Sequence, residues 1–183
     1  MASWQFNLFL IPRVSLLNRY KHIPMKLYVD HRNEDNRLKT NLEAYEIDDA
    51  LDVDWWTDLN IYTSDLFPII EEFAALGNNW STESLKNFGD SDKNDIHVHF
   101  NKDTQQIEEV SCRFDLRELN KEFIDKSLLL AQQFNCLLMD NDGILIQPNL
   151  SNLFELIKSS NAFRFVSDPE KYLDDISNGR IQL

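Results

Sequence analysis

The most constraining stretch of this chain is Ile96-His97-Val98-His99-Phe100, where apolar and polar residues alternate strictly. Side chains on a strand point alternately to opposite faces, so this strand has one apolar and one polar face. Gln106 to Leu116 repeats the pattern, with Val110, Cys112 and Phe114 on the apolar side. The short polar segment between them makes the two a hairpin. Burying apolar against apolar sets the register, because one residue of slip would turn every side chain to the wrong face. With a tight turn at Asp103 to Gln105, His99 falls opposite Glu109, His97 opposite Ser111 and Asp95 opposite Arg113. His97, His99, Glu109, Ser111, Arg113 and Asp115 then share the polar face.

The rest of the chain adds further hairpins and helices. Trp4 to Ile11 reads as a strand ended by Pro12, with Phe6, Leu8 and Leu10 on one side and Phe9 and Ile11 on the other. Arg13 to Leu42 is locally basic and reads as loop, with a short strand at Met25 to Val29. A helix is expected after a cap at Ser64 or Asp65, with Ile69, Phe73 and Leu76 as its apolar stripe and Gly77 as its stop. Ser81 to Leu85 reads as a helical turn. Glu118 to Phe134 is helical. Cys136 to Met139 and Ile144 to Gln147 are strands around the turn Asp140-Asn141-Asp142-Gly143. Helices follow at Pro148-Asn149 and at Asp168-Pro169. The expected fold is α+β: an antiparallel sheet built from hairpins, with helices packed mainly on one face. The 183 residues read as a single domain, with 43–95 as an acidic subregion.

Charge narrows the function classes. Eighteen basic residues against 31 acidic ones give a net charge of −13, which argues against nucleic acid and anionic membranes as partners. No apolar run is long enough for a membrane span. Cys112 and Cys136 are isolated in apolar segments, so a cytoplasmic setting with reduced thiols is expected. The four glycines, Gly77, Gly89, Gly143 and Gly179, form no phosphate-binding loop. No cofactor motif can be drawn, and an enzyme is the less favoured class. A monomer and a homodimer fit the sequence equally.

Three readings of the hairpin's polar face compete. His97, His99 and Glu109 have the residue types of a three-ligand metal site. Alternatively His99 and Glu109 form an acid–base pair with Arg113 holding an anion, and a small hydrolase would use His97, His99, Glu109 and Asp115. The third reading is a solvated sheet face with ordinary cross-strand pairs. Elsewhere, Trp4 and Trp80 read as core or core-edge aromatics. Phe163, Phe165 and Tyr172 read as locks of the C-terminal helices onto the sheet. Arg164, between two phenylalanines, reads as a snorkelling arginine or an anion contact.

The second notable segment is Asp48 to Asp58. It carries Asp48, Asp49, Asp52, Asp54 and Asp58 around Trp55 and Trp56. Exposed aromatic area ringed by charge is common in protein interfaces, so these seven residues are the expected contact for a basic protein partner. The competing reading is a solvated charge run with both tryptophans buried. In this acid–tryptophan segment and in its overall acidity, the chain resembles the small acidic α+β immunity proteins of bacterial toxin systems. The resemblance implies an inhibitor that binds a basic toxin domain by charge and shape.

Overall fold

The structure is a computed structural model that describes residues 4–30, 49–77 and 81–180. Asp48 and Trp80 lie outside the described residues. The fold is α+β. Strands β1 (Gln5–Pro12), β2 (Leu85–Gly89), β3 (Asp95–Phe100), β4 (Ile107–Asp115), β5 (Cys136–Met139) and β6 (Leu145–Ile146) form one antiparallel sheet in the order β2-β3-β4-β1-β5-β6. The helices are α1 (Arg13–Tyr20), α2 (Thr63–Glu71), α3 (Lys121–Gln133), α4 (Leu150–Ser159), α5 (Asn161–Ser167) and α6 (Pro169–Ser177). Among the described residues no helix is long and apolar enough to cross a membrane.

β1 lies inside the sheet, with Phe6, Leu8 and Leu10 on one face and Gln5, Asn7, Phe9 and Ile11 on the other. Its first half pairs with β4 and its second half with β5. Phe6, Leu8 and Leu10 face one side and Ile11 the other, and all four are buried. The first side holds α2 and α3. The Phe67 ring packs edge-on against Phe88 and Phe100, at 5.1 and 5.7 Å. Phe123 packs against Phe114 at 6.0 Å and Phe73 at 5.9 Å. The opposite face changes character across the sheet. It is apolar and buried over β1 and β5, through Ile11, Leu137 and Met139. Over β3 and β4 it carries the histidines and carboxylates.

The β3–β4 hairpin has the register that alternation requires: Asp95 opposite Arg113, His97 opposite Ser111, and His99 opposite Glu109. The turn is not a simple tight one. A bulge after His99 pairs Phe100 with Ile107, and the Asn101 side chain accepts the backbone N–H groups of Asp103 and Thr104. The turn after β5 closes as expected. The Asp140 carboxylate accepts the N–H groups of Asp142 and Ile144, and Gly143 takes φ +80°. A Cβ there would lie 2.3 Å from the Leu27 carbonyl oxygen, so only glycine fits.

Four expectations are corrected. Arg13 to Tyr20 is helix α1, and Met25 to Leu27 contributes backbone bonds to the 143–145 edge instead of a full strand. α2 begins one residue before Ser64, with the Asp65 carboxylate reaching back to the Tyr62 N–H. It buries Leu66 and Ile70, followed by Ala74, while Leu76 is exposed. Leu85 begins β2, where pairing to β3 overrides a sequence with little alternation. Phe165 and Tyr172 pair with each other, joining α5 to α6 edge to face at 5.8 Å, where a lock onto the sheet was expected, and Phe163 is exposed.

Candidate functional site

The acidic segment is held against α1 and the edge of β4. Beyond the Phe9–Ser111 pair β1 no longer accompanies β4. Residues 56–63 take the vacated edge, with Trp56 N–H donating to the Glu108 carbonyl and Ile107 N–H to the Ile61 carbonyl. The two tryptophans fix this arrangement. Trp55 is 3% exposed and Trp56 is fully buried. Their indole N–H groups donate to the carbonyls of Ala50 at 2.8 Å and Leu10 at 2.7 Å. Trp56 packs on Phe134, and Trp55 lies near Tyr20 with the Arg19 guanidinium 5.9 Å above its ring. The segment forms 3₁₀ turns at Ala50–Asp52 and Thr57–Leu59, not a strand, so adjacent side chains need not point to opposite faces.

This corrects the contact expected of Trp55 and Trp56: both are core residues and present no area to a partner. Asp49 is also committed, because its carboxylate accepts the N–H groups of Leu51 and Asp30. Asp52, Asp54 and Asp58 are exposed, and no described cation lies within ion-pair distance of them.

On the hairpin, the residues that share a face divide into separate groups. Asp95 is fully buried and binds Arg113 through Nε at 2.7 Å and through a second guanidinium nitrogen. The His97 ring reaches the same carboxylate at 3.1 Å. Burial alone would raise the Asp95 carboxyl, but hydrogen bonds from Arg113 and His97 and their positive charge hold it below the ordinary range. Asp115 instead binds Arg117, whose hydrogen bonds lower its pKa and whose guanidinium lies 4.4 Å over the Trp4 ring.

Glu109 is pushed up to about 7, first by burial and then by the Asp54 carboxylate, with Ser111 partly offsetting both. Burial and the neighbouring His97 depress His99. Asp54 therefore acts on both members of the His99–Glu109 pair, which brings one residue of the acidic segment to the edge of the polar face. Among the described residues no three His, Cys, Asp or Glu side chains are grouped to hold a metal ion. His97 is engaged by Asp95 and Asp115 by Arg117, His99 and Glu109 are opposite in register only, and Asp95–Arg113 is the ion pair that crosses between β3 and β4 among the described residues. Cys112 and Cys136 are free, buried thiols raised by burial.

Sequence reasoning underrated two features. The buried Asp95 anchors the face, and its signal was present in the register that sets it opposite Arg113. A cavity between α5 and α6 gathers Arg164, Lys171 and Arg180, for which Arg164 was the one visible cue. No family model matches the chain, and neither the curated proteins nor the solved structures contain a match to it.

Proposed function

We propose that this protein is a non-enzymatic binding protein that docks a basic protein partner, in the manner of an immunity-type inhibitor. The observation that carries this reading is the exposed set Asp52, Asp54 and Asp58, which has no ion-pair partner among the described residues. Exposed carboxylates present their field to solvent and speed the approach of a basic surface. Buried tryptophans change the original picture in a useful way. They do not touch the partner; they hold the backbone that carries the aspartates, so the charges are displayed on a fixed frame. Fixed charge costs less ordering on binding than charge on a mobile tail. A cytoplasmic setting, where Cys112 and Cys136 remain thiols, belongs to the same reading.

The test is capture from the native cell extract at low and high salt. A basic protein is expected to be retained at low salt and released at high salt. The triple variant Asp52→Asn, Asp54→Asn, Asp58→Asn should lose it. Retention that survives the triple substitution would overturn the assignment of these residues.

A further inference from the structure

The chain contains one Asn-Gly dipeptide, Asn178-Gly179. A glycine after asparagine has no side chain to shield its backbone nitrogen, so the asparagine side chain can react with its own main chain there. The dipeptide closes α6. Asn178 is the C-cap, Gly179 takes φ +69°, and a Cβ on Gly179 would meet nothing within 4 Å. Asn178, Gly179 and Arg180 are all exposed.

The cap engages both reacting groups. The Asn178 side-chain amide donates to the Asp174 carbonyl at 2.8 Å and to the Asp174 carboxylate at 2.9 Å. The Gly179 N–H donates to the Ile176 carbonyl at 2.9 Å, and the Arg180 N–H to the Asp175 carbonyl at 2.8 Å. The Arg180 guanidinium ties the same turn down, binding Asp174 at 3.1 Å and Asp175 at 2.6 Å. While its hydrogen is held by Ile176, the Gly179 nitrogen is kept from the side chain. It becomes a nucleophile when the turn opens, and helix ends are among the parts of a fold that open most readily.

We infer that Asn178 is a spontaneous deamidation site, gated by the C-terminal turn of α6. The Gly179 nitrogen gives its proton to solvent and bonds to the side-chain carbonyl carbon of Asn178. The bond from that carbon to the amide nitrogen breaks, the amide nitrogen takes up a proton and leaves as ammonia, and a cyclic imide remains. Water then adds to either imide carbonyl carbon and breaks its bond to the ring nitrogen, leaving aspartate or isoaspartate at this position. Nothing is oxidised or reduced. The product cannot rebuild the cap. A carboxylate has no N–H to give Asp174, it repels the Asp174 carboxylate, and it stands at the helix end where negative charge is unfavourable. Conversion therefore leaves the last turn of α6 open and acts in one direction.

The test is incubation of the full chain at pH 8 and 37 °C, followed by mass spectrometry of the intact protein and of its peptides over days. Folded protein should convert at Asn178 at least about tenfold more slowly than protein in 6 M guanidinium chloride, because reaction waits for the turn to open. Asp174→Ala removes a charged acceptor from the cap and should speed conversion of the folded protein about tenfold. Asp174 is exposed, so this variant keeps the fold, which far-ultraviolet circular dichroism checks. Asn178→Gln should not convert, since its longer side chain closes a less favourable ring. Amide hydrogen exchange over residues 172–180 should be faster in converted than in unconverted protein. Absence of conversion at Asn178 in denaturant overturns the site. Equal rates with and without denaturant, or in the wild type and Asp174→Ala, overturn the gate. Unchanged exchange after conversion overturns the one-way opening.

Discussion

At the scale of single residues, Glu109 and Asp95 show how neighbours decide the sign of a buried carboxylate's contribution. Asp95 has an arginine and a histidine, so its charge is retained on burial. Glu109 faces Asp54 and has only Ser111 to help it, and its pKa rises to about 7. The consequence for stability follows from linkage. The unfolded chain ionises Glu109 near 4.5, while the folded chain resists ionisation up to about 7. A destabilising contribution therefore develops as pH rises from 4.5 and is complete above 7, reaching at most about 3 kcal/mol. Glu109→Gln should raise stability at pH 8.5 and change it little at pH 4.5. Urea unfolding at the two pH values measures this, and an equal effect at both would show that Glu109 ionises normally in the fold.

At the scale of elements, the acidic segment depends on Trp56. It is fully buried, packs on Phe134 and donates to the Leu10 carbonyl. Trp56→Ala should cost about 3–5 kcal/mol through the cavity it leaves. Trp56→Phe keeps most of the bulk but removes the N–H donor, and should cost about 1–3 kcal/mol. Amide hydrogen exchange should accelerate over residues 56–63 in both variants, because their bonds to β4 rest on this anchor. Unchanged exchange there would mean that the segment is held by other contacts. The same element shows what the sequence carried and what it did not. The β3–β4 register was legible because alternation leaves one way to bury Ile96, Val98, Val110 and Cys112 together. β2 was not, since Leu85-Lys86-Asn87-Phe88-Gly89 has little pattern of its own and becomes strand by pairing with β3. Both tryptophans are buried, as the competing reading of that segment had it, and the contact expected of them fails because the chain around them makes 3₁₀ turns that carry both rings inward. The α5–α6 cavity was illegible because it gathers residues from two helices and the turn after them, at spacings no single period reveals.

At the scale of the whole molecule, a net charge of −13 works against the fold. Carboxylates without counter-ions repel one another, and that repulsion falls as salt shortens the screening length to about 10 Å at 0.1 M. Asp52, Asp54 and Asp58 are exposed and close together in the chain, so part of the cost is concentrated there. If their display serves binding, salt must act on stability and on association in opposite directions. The melting temperature should rise between 20 and 300 mM NaCl while retention of a basic partner falls. The triple asparagine variant separates this from a general salt effect. Relief of about 1 kcal/mol of repulsion in a chain of this size should raise its melting temperature at low salt by about 2–4 °C, and its salt slope should flatten. Asp49 is left intact in that variant because its carboxylate caps the chain beside Leu51. Equal melting temperatures and equal slopes for the two proteins would mean that the cluster carries no strain, and its retention would then need no functional explanation. A higher melting temperature together with loss of the partner would identify these three residues as charges that weaken the fold and serve recognition.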